Sequence, residues 1–223
     1  MSRFLGKAGD DVLGIDMYPP DIAYAEAHFK QDGLSFTCLD VHSLTAEGRV
    51  FDIVVMADVL EHLDDPSTIL ATAIELLAPS GRLLVTVPNG RGPFELESAL
   101  SKVPVAGPVL LKLTDLSSAV LNKSVLKGVW SRVAALLPND LPYNIDSGHV
   151  QFFSRPEMIK LIHGVGLEVI GSRNLSFLAG PFTNYVFSPW RAFCEWNARV
   201  ADRLPSWLSS AWFFECGRAS DRN

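Results

Sequence analysis

Two short stretches carry the side chains best suited to chemistry. Residues 58–62 read D-V-L-E-H, which sets Asp58, Glu61 and His62 within little more than a turn of chain, and His149 follows much later in G-H-V-Q-F-F. An imidazole titrates near neutrality, so His62 or His149 is suited to accept a proton from a reacting group. Carboxylates and imidazoles are also suitable ligands for a divalent cation, with Glu61, His62 and His149 as the set. A third reading is structural, with Glu61 and His62 forming the hydrogen-bonded, capped start of the next helix. The residues alone leave all three open. Two further carboxylates, Asp16 and Asp40, each close a short apolar run, V-L-G-I-D at 12–16 and the stretch from Leu34 to Leu39.

The elements that must position these groups follow from the pattern. The run ending at Asp16 reads as a strand, and Pro19-Pro20 opens an alanine-rich helix to Phe29, stopped by Asp32-Gly33. Leu34 to Leu39 is a second strand and F-D-I-V-V-M at 51–56 a third, apolar enough throughout to predict a strand buried on both faces of a parallel sheet. Asp65-Pro66 predicts an N-cap and first-turn proline, for a helix that ends at Pro79-Ser80-Gly81 and precedes a fourth strand at Arg82 to Val87. From 90 to 147 the rhythm gives way to glycines, prolines and helical spacing, which predicts a mostly helical insert over the site. Ser154 and Glu157 form a capping-box pattern for a helix to about His163, Leu167 to Gly171 is a strand, Ser188-Pro189 opens a helix to about Leu204, and A-W-F-F-E-C at 211–216 is the last strand. Alternation of this kind predicts a doubly wound α/β sheet, with ligands beyond the carboxyl ends of its strands, where Asp16, Asp40, Asp58–His62 and Asn89 all lie.

Composition narrows the partner. With 19 basic and 25 acidic side chains the formal charge is −6, which disfavours a nucleic-acid-coating role and points to a small molecule. Cys38, Cys194 and Cys216 are widely spaced and odd in number, so neither a disulfide framework nor a cysteine zinc site is expected, and a reducing cytoplasmic setting fits. The apolar stretches Val103–Leu121 and Leu175–Trp190 are broken by prolines and polar residues, so no membrane-spanning helix is expected, although peripheral membrane contact is open. Trp190, Trp196, Trp207 and Trp212 crowd the last few dozen residues, with core packing as the default account. Lys112, Lys123, Lys127 and Arg132 in the insert read as a solvated face or part of a lid.

In order along the chain, V-L-G-I-D, F-T-C-L-D-V, F-D-I-V-V-M-A-D-V-L-E-H-L, L-L-A-P-S-G-R-L-L-V-T-V-P-N and G-H-V-Q-F-F-S resemble a class I S-adenosylmethionine-dependent methyltransferase, in the branch that includes the ubiquinone-biosynthesis O-methyltransferases. The resemblance implies a Rossmann-like, doubly wound sheet, mostly parallel with an antiparallel last strand, and a single domain over 1–223 that carries the 90–147 insert. It implies S-adenosylmethionine as cofactor, held by Asp16, Met17, Asp40, Val41 and Asp58. Asp16 would accept from the ribose hydroxyls and Asp40 from the adenine amino group, with Val41 offering its N–H and apolar surface; an ordinary turn or Asx role is the bland alternative for both aspartates.

The resemblance also implies catalytic roles for His62 and His149 and a divalent ion such as Mg2+ on Glu61, His62 and His149, although Asp58 stands where such sites carry glutamate. The expected acceptor is a hydroxyl on a small molecule or on a lipid- or sugar-linked one. One departure stands out. The family's first strand and glycine-rich loop would precede Val12, whereas the sequence opens M-S-R-F-L-G-K-A-G-D. The expectation is a natural product that starts upstream of Met1, with a break at the centre of the sheet; the alternative is a degenerate, non-catalytic interaction module. A nicotinamide dehydrogenase is a distant third, because only Asp16 fits it.

Overall fold

The computed structural model describes residues 10–101, 103, 148–180, 183, 187 and 190–219. The first βαβ unit is β1 (Val12–Asp16), α1 (Pro19–His28) and β2 (Leu34–Cys38), with β1 and β2 parallel and Asp16 opposite Cys38. A short α2 (Val41–Ala46), not read from the sequence, follows Asp40 directly. It forms because the Asp40 carboxylate accepts from the His42 backbone N–H at 3.0 Å and so caps it.

The second unit holds the core. Strand β3 (Phe51–Ala57) leads through a single 3-10 turn (Leu60–His62) into α3 (Pro66–Glu75), then β4 (Leu77–Pro88) and α4 (Pro93–Ser101). After the undescribed residues come α5 (Arg155–Gly164), β5 (Leu167–Ser176), α6 (Arg191–Ala201) and β6 (Ala211–Arg218). The four strands are ordered β3-β4-β6-β5; β3 and β4 are parallel, and β6 runs antiparallel to both β4 and β5. This is the mostly parallel sheet with an antiparallel last strand that the sequence implied. Leu83, Val85 and Val87 pair with Cys216, Phe214 and Trp212, and period-two alternation puts all six on one face. All six are buried, together with Leu70 and Ala73 of α3 and Met158 and Ile162 of α5.

Predicted starts and stops mark most boundaries. Asp65 caps α3, accepting from the Ser67 and Thr68 amides and from both hydroxyls. Ser154 and Glu157 make the expected capping box at α5. Three details differ. The P-S-G stretch lies inside β4, which begins at Leu77 because Leu77 pairs with Phe51 before a register shift. Strand β5 runs on to Ser176, because β6 continues alongside it to Ala211. The expectation that β3 is buried throughout also fails: only Met56 is buried and Ile53 is 58% exposed. Among the described residues β3 is paired on its β4 side alone, and β1 on its β2 side alone. Among the described residues the strands therefore form two sheets, β1-β2 and β3-β4-β6-β5.

The pieces are tied through α2 and α3, where His42 Nδ1 and Thr72 Oγ1 lie 2.9 Å apart. Thr72 donates to the Thr68 carbonyl, so the imidazole nitrogen is the donor in that contact. Of the C-terminal aromatics, Trp212 and Phe214 are core, whereas Trp196 and Trp207 are 46% and 68% exposed. The predicted insert is described only as far as α4 and Val103; Lys112, Lys123, Lys127 and Arg132 lie outside the described residues. No described helix is long and apolar enough to cross a membrane.

Candidate functional site

Asp16 and Asp40 come together because β1 and β2 are parallel and in register. Asp16 faces Cys38, and its carbonyl accepts from the Leu39 amide at 3.1 Å, one residue before Asp40. One Asp16 oxygen accepts from the Tyr18 amide at 2.8 Å, the Asx turn of the bland reading. That bond does not exclude the ribose role: the side chain is exposed, and a carboxylate has a second oxygen to offer. Asp40 likewise commits one oxygen, to the α2 cap. Val41 is the first residue of α2, where a helical N–H has no partner within its helix. Met17 and Tyr18 are 71% and 60% exposed, leaving apolar surface beside both carboxylates. These donors, acceptors and apolar faces fit an adenosine.

At the end of β3, Asp58 adopts a left-handed backbone with φ 54°, which aspartate tolerates better than most residues. Thr86 of β4 holds it there: the hydroxyl donates to an Asp58 carboxylate oxygen at 2.9 Å, and the Asp58 amide donates to the Thr86 carbonyl at 3.1 Å. The turn swings the chain so that Glu61 points inward, with 1% of its side chain exposed, while His62 stays 44% exposed. Among the described residues neither Glu61 carboxylate oxygen has a hydrogen-bond partner, and His62 Nε2 lies 3.9 Å from Oε1. Burial pushes the Glu61 carboxyl up to about 7, and the Asp58 charge adds to the shift, while its own backbone and His62 oppose it.

His149 arrives from the loop before α5. That loop is fastened under the turn, where the amides of Val150 and Gln151 both donate to the Glu61 carbonyl, at 2.9 and 3.0 Å. Its ring centroid lies 5.1 Å from that of His62. One potential ligating atom from each of Glu61, His62 and His149 lies within 4.8 Å of the others. Asp58 is not part of this group. His62 Nδ1 lies 3.1 Å from the Gly148 carbonyl, which only accepts, so Nδ1 carries the proton and the neutral ring keeps its lone pair on Nε2. A half-exposed imidazole of this tautomer beside a buried, unsatisfied carboxyl can take a proton or join in holding a cation. The buried oxygens of Glu61 fit a divalent ion, which would satisfy them.

Sequence reasoning missed Glu95. It lies in the first turn of α4, and its carboxylate meets His149 Nδ1 at 2.8 Å, with 15% and 8% of the two side chains exposed. No spacing links residues so far apart in the chain. The nearest signal was Asn89, noted only as lying at a strand end. Its side-chain amide donates to the carbonyls of Trp207 and Ser209 and its own carbonyl accepts from the Gly92 amide, which fixes where α4 begins. Gly90 must be glycine, because a Cβ there would come within 2.3 Å of the Phe152 backbone.

Comparisons with known proteins bear on the family and the fold. The family described as a methyltransferase domain matches residues 1–172. A ubiquinone biosynthesis O-methyltransferase of Cereibacter sphaeroides is 33% identical over 102 residues, 45% of this chain and 41% of that protein. Its counterpart from Pseudomonas fluorescens is 28% identical over 163 residues, 69% of this chain and 68% of the relative. The matched stretch is thus less than half the length of the first relative and about two thirds of the second. Among solved structures, an S-adenosylmethionine-dependent methyltransferase from Mesorhizobium loti superposes with a TM-score of 0.52 at 14% identity, covering 93% of this chain and 80% of that one, a likeness of fold.

Proposed function

Because this chain belongs to the methyltransferase domain family, we propose that it transfers a methyl group from S-adenosylmethionine to the hydroxyl oxygen of a small molecule or of a lipid- or sugar-linked one, in a reducing cytoplasm. The observation that carries the reading is the grouping of Glu61, His62 and His149 beyond β3 of a methyltransferase-like sheet whose β1 and β2 end in Asp16 and Asp40.

When bound, the cofactor supplies an electrophilic methyl on a sulfonium. Asp16 would accept from the ribose hydroxyls, Asp40 and the Val41 N–H would meet the adenine, Met17 would offer it apolar surface, and Asp58 would complete the cofactor-binding set. His62 takes the proton of the acceptor hydroxyl on Nε2 as the oxygen gains the methyl, and its exposed side passes that proton to solvent. His149 stands beside it to orient the acceptor. The products are the methyl ether and S-adenosylhomocysteine, so the proton is the only group the protein must remove. In the competing reading Glu61, His62 and His149 would hold a divalent ion such as Mg2+, with His62 Nε2 a ligand instead of the base, and the ion would lower the pKa of the acceptor hydroxyl.

Incubating the protein with tritiated-methyl S-adenosylmethionine and a set of phenolic, prenylated and sugar hydroxyl compounds tests the reading. Label should appear in a hydroxyl compound, and His62→Ala should lower turnover far more than cofactor affinity. Adding a chelator and restoring Mg2+ decides the metal: activity that ignores both, with Glu61→Gln as active as wild type, removes the ion and leaves His62 as a metal-free base. A second reading, a non-catalytic module, draws on the interrupted pairing between β1 and β3. Cofactor that fails to bind would select it.

A further inference from the structure

We propose that Glu95 is a positioning residue for His149, holding the imidazole in the tautomer with its proton on Nδ1 and its lone pair on Nε2; the inference deepens the functional reading above and rests on it. A carboxylate only accepts, so a 2.8 Å bond between Glu95 Oε1 and His149 Nδ1 places the hydrogen on the ring. The short contact is a charge-assisted bond between two side chains that are mostly out of water, which strengthens it. Free imidazole prefers the opposite tautomer only weakly, and a bond of this kind outweighs that preference.

The same tautomer is imposed on His62 by a different device, the Gly148 carbonyl at 3.1 Å. Two adjacent rings, 5.1 Å apart, are thus both set with Nε2 as the basic nitrogen, one by backbone and one by a carboxylate. Glu95 is well held for this purpose. It stands in the first turn of a helix whose start is tied to the segment just before β6 through Asn89, and the aromatic rings of Phe94 and Phe152 lie 5.7 and 6.4 Å from the His149 ring. The role explains why an acidic residue on α4 sits almost buried.

The test is the 15N spectrum of the histidine rings in the whole protein at alkaline pH, without cofactor or acceptor, assigned with His149→Asn. His149 should show a protonated Nδ1 and a lone-pair Nε2. Glu95→Leu should move it toward the opposite tautomer while His62 keeps its own, and Glu95→Gln, whose amide oxygen still accepts, should preserve it. In the methyl-transfer assay Glu95→Leu should lower kcat roughly ten- to a hundredfold, the usual cost of losing such a partner, with KM for the cofactor unchanged and Glu95→Gln recovering part of the loss. A wild-type His149 with its proton on Nε2, or a Glu95→Leu protein with wild-type tautomer and kcat, overturns the proposal. Should Glu95→Leu not fold, the wild-type and Glu95→Gln spectra decide. Absence of methyl transfer in the wild type would overturn the functional reading and leave the tautomer result standing.

Discussion

A buried carboxyl with two unsatisfied oxygens is costly, and Glu61 is such a group. The cost has a pH signature. The folded carboxyl titrates near 7 against an ordinary value of 4.5, so between those pH values the folded state holds a proton that the unfolded state has lost. Stability therefore falls as pH rises from about 4.5 to about 7, and is lowest above that range. In chelator-treated protein, Glu61→Gln should flatten this slope and raise Tm at pH 8, read by thermal melts across pH; an unchanged slope would place the carboxyl in a wetter setting. The D-x-x-E-H spacing made Glu61 and His62 legible in the sequence, and the turn at Asp58 explains why they part, one inward and one half-exposed. The Thr86 bond that turns Asp58 away from the cluster was not legible, since it depends on the register of β3 against β4. Glu95 was hidden for the same reason: its bond to His149 crosses two elements whose approach only the packed structure defines.

At the scale of elements, caps and alternation were readable because each is local. Asp65 and Ser154 cap the helices they were expected to cap, and the alternating burial of β4 and β6 follows from the pleat. Cys216 lies on the inner face of β6, where burial, with Glu215 beside it, pushes its thiol up to about 12. Iodoacetamide on the folded protein should accordingly modify the exposed Cys38 and Cys194 and spare Cys216 until the protein is unfolded, as peptide mapping would show. The loop that carries His149 depends on Gly148, whose φ is 63°. An added Cβ would meet His62 Nδ1 only at 3.9 Å, an ordinary contact, so the expense of Gly148→Ala is conformational, about 1–2 kcal/mol. A urea titration should show that loss; a neutral substitution would mean that the loop has another backbone to adopt. Misread boundaries, such as the P-S-G stretch inside β4, arose where a turn signal lies within a strand that a partner keeps paired.

For the whole molecule, the doubly wound order was legible because strand and helix patterns alternate, and the reversed last strand came with the resemblance. The uncovered face of β3 was not, because an apolar run predicts burial whether or not a neighbour is present to bury it; Ile53 is exposed although it pairs with Arg82 of β4. The central claim is that the ends of β1 and β2 hold the adenosyl part of the cofactor. Titration calorimetry with S-adenosylhomocysteine, on the protein as its own organism produces it and on its Asp16→Ala variant, tests that claim most directly. The account predicts saturable binding that the substitution weakens by roughly 1.5–3 kcal/mol, the worth of hydrogen bonds to a charged group, while the fold is retained. Equal affinity in the two proteins, or no binding by the wild type, would contradict it.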